Sequence, residues 1–552
     1  MFPIYFSLLL IISALPRALS TSSWAVPSSE RVIAIRSQRD VSANVTIDQL
    51  SLMGVGLSMT VFDREGYVSS ALSDIRDLLD TGVQVLAVDL YWHEQLRKFQ
   101  LCPYPLNSSY SLNATQTFKS KDGREIKCQS SLRLTDLAET VHSYLTDTDT
   151  NLSANLIILL FNILSISDTS SDVESAQIGT SNDTLSSVLL NYFDAKIYTP
   201  DGLNNDRSNG ITYNALSQTS STGWPTTSHF LFSEKRRLLA ASSDANMPSN
   251  TTYQKSWDVS TVFNSTFLEN TVTTANASSP SNSTERALES WRLDFGSGSD
   301  TFTTSLFSEA IAWGYSPVIN STSDDFTTLI GGFMNESLWS WAPSQPLSQY
   351  EARRISTDSD DTSQSAFSCG SLSVSEKKWQ VSNCYADKHV ACRLNNSTPF
   401  RWAVTVDKFS YFHAEDACAD IPKSRYVSDA SSMAKNATYI FSVPKSALEQ
   451  KALNDLLSNA NLNATDVWID MNSIAIPDCW VTGGAYANCP YKKVSSHRNF
   501  VEMLTPSAVF CGVLLLGIMA LRLRRVPIHD NRKYWKKLVN EYAESEYDGV
   551  PS

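Results

Sequence analysis

The segment LLDTGVQVLAVDLYW (78–92) decides the fold, because it connects the end of a helix to the start of a buried strand. Apolar residues recur at helical spacing over 71–79, which predicts an amphipathic helix. Gly82 provides the C-terminal stop that such a helix needs. The uninterrupted apolar run at 84–91 then predicts a strand that is buried on both faces.

The same order of helix and apolar strand recurs along the first part of the chain. The further units are LRLTDLAETVHSYL (132–145) with NLIILLF (155–161), LSSVLLNYF with AKIYT (185–199), RRLLAA (236–241), and SEAIAW with YSPVIN (308–320). Repeated units of this kind predict an α/β fold in which helices cover a parallel sheet. Their total length fits a closed (β/α)8 barrel over residues 30–330. Residues 242–284 are rich in Ser, Asn and Thr, and we expect a glycan-bearing insertion there rather than core.

The composition excludes several classes of protein. The chain has 552 residues and a formal net charge of −13, with 42% apolar and 18% charged residues. Glycine and proline, at 20 residues each, are too few for a collagen-like or low-complexity chain. The acidic balance argues against direct binding of nucleic acid, which requires basic residues against the phosphates.

The N-terminal segment predicts entry into the secretory pathway. Residues 4–15 have the length of a signal-peptide core, and the small residues Ala18 and Ser20 suit a cleavage site. We therefore expect residues 1–20 to be a signal peptide, with a buried N-terminal strand as the alternative.

The C-terminal segment predicts attachment to a membrane. The uncharged run 503–521 is long enough for one membrane helix. Seven Lys and Arg residues follow it, against three that precede it at a similar distance, which places the tail 522–552 in the cytoplasm. The sequence thus predicts a type I protein held in the lipid bilayer by one helix. Its N-terminal body would lie in the lumen of the secretory pathway, in the endoplasmic reticulum or vacuole, or at the cell surface.

Fifteen Asn-x-Ser/Thr acceptor sites lie between the two apolar segments, and none lies in the tail. This distribution is expected of N-glycosylation in the lumen. The predicted glycosylation sites are Asn44, Asn107, Asn113, Asn151, Asn182, Asn250, Asn264, Asn276, Asn282, Asn320, Asn335, Asn395, Asn396, Asn436 and Asn463.

Nine cysteines are present, and Cys511 falls inside the predicted membrane helix. The other eight form an even set in an oxidising compartment, which favours disulfides. A zinc site is the competing interpretation, but the chain has no Cys-x-x-Cys pair and its seven histidines are scattered. Six of the eight lie within 369–489, which indicates a domain boundary near 330–350.

Two segments of the first part resemble the phosphatidylinositol-specific phospholipase C-like phosphodiesterases. GWPTTSHFLFSEKRRLLA (223–240) resembles the stretch in which a Trp-Pro turn and a helix precede a Lys-Arg-led barrel strand. LLDTGVQVLAVDLYW (78–92) resembles the Gly-led second strand of that superfamily. The resemblance implies a phospholipase C-like barrel, with a pair of histidines at strand ends acting as general base and general acid.

That histidine pair is not found in this sequence. The first candidate strand (53–63) ends without a histidine, and His93 stands alone after the second strand. Asp89 and Glu94 are candidate metal ligands as in glycerophosphodiester phosphodiesterases, but the paired acidic motif and its histidine are missing. The other histidines of this part, His142 and His229, lie in predicted helices. We therefore assign no catalytic residue, no metal ligand and no cofactor.

The cysteine-rich region at 335–495 resembles a C-type lectin-like domain. Its first stretch (338–393) resembles the C-terminal half of such a domain, through its tryptophans, its cysteines and the closing Val-Ala-Cys. The later segments RWAVTVDKFSYFHAEDAC (401–418) and WIDMNS (468–473) resemble the opening helix and the central strand. The stretch that resembles the C-terminal half of the domain precedes the stretch that resembles its N-terminal half. The region is therefore either two degenerate copies of the domain or one copy with a rearranged order.

Calcium-dependent sugar binding is not expected of this lectin-like region. Sugar-binding C-type lectins hold Ca²⁺ with oxygen ligands from Glu-Pro-Asn-like and Trp-Asn-Asp-like motifs. This chain has Trp379-Gln380-Val381 at the second motif and no Glu-Pro-Asn, which leaves a protein-binding or structural role. The disulfide pairs that we expect, among the 105 connectivities that eight cysteines allow, are Cys102–Cys128, Cys369–Cys384, Cys479–Cys489 and Cys392–Cys418.

The whole arrangement resembles the fungal maintenance of telomere capping protein 6 family. The resemblance rests on SQRDVS (37–42), LYW (90–92) followed by QLCPYPL (100–106), LWSWAPSQP (338–346), the paired cysteines and the C-terminal span. It implies a type I membrane glycoprotein with a proposed role in telomere capping and no established enzymatic reaction. A lumenal body cannot touch chromosome ends, so such a role would be indirect.

Three functional hypotheses follow from these features. The first is a non-catalytic lumenal scaffold or recognition protein that binds an unknown lumenal or extracellular ligand. The second is a divergent phosphodiesterase acting on inositol lipids or lipid-anchored glycans. The third is a cell-wall glycan-binding receptor.

Overall fold

A computed structural model describes most of the chain. The described residues are 24, 27–106, 114–120, 123–167, 184–210, 223–264, 289–295, 303–320, 326–356, 363–395, 400–421, 426–428, 438–460, 464–491, 497–525 and 532–547. The chain divides into two compact units, residues 1–491 and 492–552. The predicted signal peptide at residues 1–20 lies outside the described part.

The first part of the chain builds a sheet of seven parallel strands. In spatial order they are β7 (Ile197–Tyr198), β8 (Leu238–Ser243), β6 (Ile157–Ile166), β2 (Val85–His93), β1 (Gly54–Gly56), β10 (Ser316–Ile319) and β9 (Leu293–Asp294). A short antiparallel strand, β3 (Lys98–Gln100), pairs with the end of β2. The apolar runs that predict strands after the helices therefore supply β2, β6, β7, β8 and β10 of this sheet.

The sheet is a partial barrel, so the prediction of a closed (β/α)8 barrel is wrong for the described residues. Its end strands β7 and β9 are each two residues long, and β8 lies between β6 and β7, out of sequence order. Trp224 contacts Tyr198 of β7 and packs edge to face on Trp291, with ring centroids 5.0 Å apart. Trp291 directly precedes β9, so aromatic side chains occupy the side where a closed barrel has strands.

Helices cover one face of this sheet. Leu86, Val88 and Leu90 of β2 pack against them in the main hydrophobic core, which contains the apolar stripes of the helices predicted at 71–79 and 132–145. The helices of the first part are α1 (Ser29–Val41), α2 (Ala71–Asp80), α3 (Leu134–Asp147), α4 (Leu185–Phe193), α5 (Pro200–Asn209), α6 (Thr304–Ala312) and α7 (Phe326–Glu336). Threonine N-caps at Thr184, Thr199 and Thr303 fix where α4, α5 and α6 begin.

The cysteine-rich region builds a second sheet. Its strands, in spatial order, are β12 (Trp379–Ser382), β11 (Cys369–Ser373), β17 (Asp466–Asn472), β13 (His389–Leu394), β14 (Trp402–Thr405) and β15 (Tyr426–Ser428), with β16 (Tyr439–Phe441) also paired to β13. The accompanying helices are α8 (Gln349–Ile355), α9 (Ala414–Ala419) and α10 (Ala447–Asn459). Strand β17 pairs antiparallel with β11 and parallel with β13. The two stretches that resemble lectin halves thus share one sheet and are not two separate copies.

Helix α1 fastens the two sheets together. The buried indole of Trp341 donates its Nε1–H to Ser37 Oγ at 2.7 Å. One turn farther along, Ser42 Oγ donates to the carbonyl oxygen of Lys445 at 2.8 Å. The main hydrophobic core is continuous from the first sheet to Trp379 of the second. The two sheets therefore share one main core among the described residues.

Four disulfides cross-link the first unit. They join Cys102 to Cys128, Cys369 to Cys384, Cys392 to Cys418 and Cys479 to Cys489, the same four pairs that we expect from the sequence. The first, here called the hairpin disulfide, holds the antiparallel strands β4 (Thr115–Lys119) and β5 (Glu125–Gln129) beside β3. Cys511 has a free thiol.

The sequence predicts an insertion outside the core at residues 242–284. This prediction is wrong for residues 242–264, which belong to the body. Tyr253, Asp258 and Val262 are buried. Asp258 accepts hydrogen bonds from the Tyr253 hydroxyl at 2.8 Å and from the backbone N–H of Ser186 at 2.7 Å. The remainder, 265–284, lies outside the described residues.

The second unit consists of two helices, α11 (His497–Arg525) and α12 (Arg532–Tyr547). The predicted membrane helix 503–521 falls within α11. In the described parts of the chain, however, none of the helices combines enough length with enough apolar character to cross a membrane. The membrane span therefore stays a prediction.

Candidate functional site

A small polar group lies on the first sheet, on the face opposite the helix-covered core. Asp89 of β2 and Asn162 of β6 are paired across the ladder, and Asn162 Nδ2 donates to Asp89 Oδ1 at 2.9 Å. Val88 and Leu90, the sequence neighbours of Asp89, pack into the core instead. Because side chains alternate along a strand, Asp89 points away from that core. This is the end of the sheet at which the phospholipase C resemblance predicts a catalytic site.

Two tyrosines, Tyr67 and Tyr91, lie near enough to the Asp89 carboxylate for its charge to act on their pKa values. Burial raises the pKa of Tyr67, and the nearby carboxylates of Asp89 and Asp63 raise it further, against a hydrogen bond with Ser58 that lowers it. Burial also raises the pKa of Tyr91, and Tyr67, Asp89 and Tyr104 add to that shift. These phenols keep their protons at neutral pH, so the group offers hydrogen-bond donors and one carboxylate but no imidazole.

Glu94, the second candidate metal ligand, serves as a structural anchor. Its carboxylate accepts hydrogen bonds from Ser165 Oγ at 2.5 Å and Thr251 Oγ1 at 2.6 Å, and from the backbone N–H and Oγ1 of Thr252, both at 2.8 Å. Hydrogen bonds from these partners outweigh the effect of burial and lower the pKa of Glu94. The carboxylate thus ties the segment after β8 to the ends of β2 and β6.

The candidate histidines are separated and have local roles. His93 is buried at the end of β2, and its Nδ1 accepts the backbone N–H of Leu96. His142 lies on α3 beside Tyr192 and Phe193. His229 lies at the start of the helical turn that follows the Trp-Pro step, 3.8 Å from Glu234. The described residues contain no group of three or more His, Cys, Asp or Glu side chains that could hold a metal ion.

The Lys-Arg-led strand of the resemblance is also structural here. Arg237 is buried at the start of β8, and its guanidinium donates to the carbonyls of Leu145, Thr148 and Asn155 and to two of their side-chain oxygens. Burial lowers the pKa of Arg237. The side chain therefore closes the C-terminal end of α3, where backbone carbonyls lack partners within the helix.

The residues at the lectin-like motif position, Trp379 and Gln380, are hydrogen-bonded within the cysteine-rich region. Trp379 is fully buried, and its Nε1–H donates to Gln450 Oε1 at 2.8 Å. Gln380 Nε2 donates to Asp466 Oδ1 at 2.6 Å. Both motif residues therefore bond to the protein itself rather than facing an open calcium site.

The predicted glycosylation sites lie at the surface wherever the structure describes them. The exposed asparagines are Asn44, Asn151, Asn250, Asn264, Asn320, Asn335 and Asn395. The others, Asn107, Asn113, Asn182, Asn276, Asn282, Asn396, Asn436 and Asn463, lie outside the described residues. Glycosylation itself stays a prediction.

The sequence reasoning missed one polar cluster in the interior. Arg393 of β13, Lys445 and Glu449 converge around a cavity of about 270 Å³ at the start of α10. The spacing between these residues matches no binding motif, so only the fold could reveal them.

Comparisons with known proteins agree with this architecture. A family model described as the MTC6 partial TIM-barrel domain matches residues 25–340. The protein named maintenance of telomere capping protein 6 from Debaryomyces hansenii is 30% identical, with 97% of this chain and 96% of the relative covered. The chain belongs to the maintenance of telomere capping protein 6 family. Proteins of the same name from Meyerozyma guilliermondii (32% identical, 94% of each chain) and Saccharomyces cerevisiae S288c (31%, 98% and 94%) are similar along their length.

Solved structures of phosphatidylinositol-specific phospholipase C show a distant likeness. The calcium-dependent enzyme from Streptomyces antibioticus is 13% identical over 50% of this chain and 83% of its own, with a TM-score of 0.25. A variant of the Staphylococcus aureus enzyme is 10% identical over 56% and 99%, with a TM-score of 0.28. Likenesses at this level carry no argument about the activity of this chain.

The short strings that mark the maintenance of telomere capping protein 6 family have packing roles here. SQRDVS supplies Ser37 and Ser42, which join α1 to the second sheet. QLCPYPL supplies one half of the hairpin disulfide. LWSWAPSQP supplies Trp341, which receives the contact from α1. SQRDVS and LWSWAPSQP therefore lie at the junction between the sheets, and QLCPYPL lies at the hairpin.

Proposed function

We propose that this protein is a non-catalytic scaffold or recognition protein that contributes to telomere capping, the process for which its relatives are named. The observation that carries the proposal is the state of the two candidate carboxylates. Asp89 is hydrogen-bonded to Asn162, and Glu94 accepts hydrogen bonds from three residues of the protein. A general acid–base reaction needs groups poised to exchange protons with a substrate, whereas these groups hold the fold together.

The experiment measures turnover of phosphatidylinositol by the purified full-length chain in mixed micelles. We expect no release of inositol phosphate above a no-protein control, and no difference between wild type and His93→Ala or Asp89→Asn. Glu376→Gln, at an exposed position of the second sheet, is the matched control. Turnover that disappears in Asp89→Asn but persists in Glu376→Gln would establish the alternative, a divergent phosphodiesterase.

Glycan recognition is a second candidate, favoured by an exposed aromatic pair in the cysteine-rich region. The rings of Tyr385 (64% exposed) and Phe412 (37% exposed) have centroids 5.2 Å apart. Exposed apolar surface of this kind marks interaction sites on soluble domains. A glycan array on the full chain, compared with Tyr385→Ser, separates this candidate from a scaffold that binds no sugar.

We also propose attachment to a membrane through α11, with glycans on the N-terminal unit. Support comes from the uncharged run 503–521, from the exposed apolar side chains of Val513, Leu516 and Leu521, and from the surface position of the described acceptor asparagines. Carbonate extraction and an endoglycosidase mobility shift test the two parts. A chain that is released by carbonate and does not shift would contradict them.

A further inference from the structure

We propose that the cavity between Arg393 and Lys445, here called the Arg393 cavity, binds a small phosphate ester. The cavity lies where the segment before β1 meets β13 and the start of α10. Its volume is about 270 Å³, far above the ~10–15 Å³ that a single water requires. It is lined by Asn44, Val45, Gln49, Thr226, Arg393, Phe400, Lys445, Ser446, Leu448 and Glu449.

The cavity carries more positive than negative charge. Arg393 and Lys445 face one carboxylate, Glu449, and the closest approach of the Arg393 guanidinium to it is a loose 4.0 Å. The buried Nε of Arg393 has no hydrogen-bond partner among the described residues. Such a group costs free energy unless a ligand or water satisfies it.

Lys445 adds a second cation, on which the carboxylates of Glu449 and Asp470 act without a direct ion pair among the described residues. In the described part of the chain its ammonium group has no hydrogen bond or ion pair, since its backbone makes the contacts to Ser42 and Glu449. Burial lowers the pKa of Lys445, and repulsion from Arg393 lowers it further. Two cations that repel each other at one cavity define a position where an anion is stabilised.

Helix α10 adds to the positive electrostatic potential in the cavity. It has 13 residues, and its N-cap Ser446 lines the cavity together with Leu448 of the first turn. The N-terminus of a helix carries partial positive charge and is a common site for phosphate groups. The helix therefore points its positive end at the same space as the two cations.

The composition of the walls narrows the class of ligand. A phosphate monoester carries about −1.5 to −2 charges at neutral pH. This charge matches two cations and a helix N-terminus better than the single charge of a carboxylate ligand would. Val45, Phe400 and Leu448 provide apolar wall. The geometry thus fits a phosphate group with a small organic substituent.

The test is isothermal titration of the full chain in neutral detergent, with inorganic phosphate and glycerol phosphate as probes at fixed ionic strength. Both probes should bind wild type, and Arg393→Gln and Lys445→Gln should each weaken binding on the order of tenfold, as expected for the loss of a charge-assisted hydrogen bond. Lys445→Gln should fold, because the ammonium group that it removes makes no hydrogen bond or ion pair with the described residues. Glu449→Gln should tighten binding, because it removes the competing carboxylate.

Lys451→Gln is the matched control on the same helix, since Lys451 pairs with Asp455 and lies outside the cavity. It should bind both probes as wild type does. Absence of phosphate and glycerol phosphate binding by folded wild type overturns the proposal. So does equal binding by wild type, Arg393→Gln and Lys445→Gln. These outcomes are independent of whether the protein hydrolyses lipids.

Discussion

Replacing Glu449 by glutamine should stabilise the protein at high pH and leave it unchanged at low pH. Glu449 is 5% exposed, and burial raises its pKa from 4.5 to about 6 despite the nearby Arg393. The folded state therefore holds the proton more tightly than the unfolded chain does. The stability linked to this proton is fully present below pH 4.5 and is lost as the pH rises through about 6.

The size of the effect follows from the shift in pKa. A rise from 4.5 to about 6 corresponds to about 2 kcal/mol in the free energy of unfolding. Glutamine resembles the protonated acid and keeps an oxygen that can accept the Lys445 N–H, a bond of 2.9 Å in the wild type. Glu449→Gln should therefore gain about 2 kcal/mol over wild type at pH 8, with no gain near pH 4.

The assay is urea unfolding at the two pH values, followed by tryptophan fluorescence. Glu376→Gln serves as the control, because Glu376 is exposed and its replacement should leave stability unchanged at both pH values. A Glu449→Gln variant that is less stable than wild type at pH 8, or that gains equally at both pH values, would refute the reasoning.

Three further changes test the packing. Ser37→Ala leaves the buried Nε1–H of Trp341 without its acceptor and should cost about 1–3 kcal/mol in the free energy of unfolding, measured in urea; an unchanged midpoint would mean that water replaces the hydroxyl. Gly54→Ala brings a methyl group to 2.9 Å from two core valine side chains and should cost about 1–3 kcal/mol. Gly56→Ala should cost less, because it meets only an exposed asparagine side chain; equal loss of thermal stability would contradict this order. Replacing both cysteines of the hairpin disulfide by alanine should cost about 3 kcal/mol and speed proteolysis of the hairpin, whereas equal digestion rates would show that the hairpin is held by packing alone.

The local elements of the first sheet could be predicted from the sequence because their signals are local. Apolar runs and helical stripes place β2, β6 and β8 and the helices before them. Their spatial order could not be predicted in the same way. The insertion of β8 between β6 and β7, and the aromatic filling by Trp224 and Trp291, depend on contacts between distant segments.

The candidate site shows the same limit. The sequence indicates that no histidine pair follows the first two strands, and the structure places His93 in a buried local turn. The sequence does not indicate that Glu94 anchors the segment after β8, because its partners Thr251 and Thr252 lie far from Glu94 along the chain. The Arg393 cavity had no signal in the sequence, because its residues come from four segments that only the folded chain brings together.

The position of α1 has a consequence for how the chain is made. Arg36 of this helix donates to the carbonyl oxygen of Asp478, which comes 442 residues later. At about 5–20 residues per second, a ribosome needs roughly 20–90 seconds to synthesise that interval. The hydrogen bond between Arg36 and Asp478 can therefore form only after most of the polypeptide has been translated.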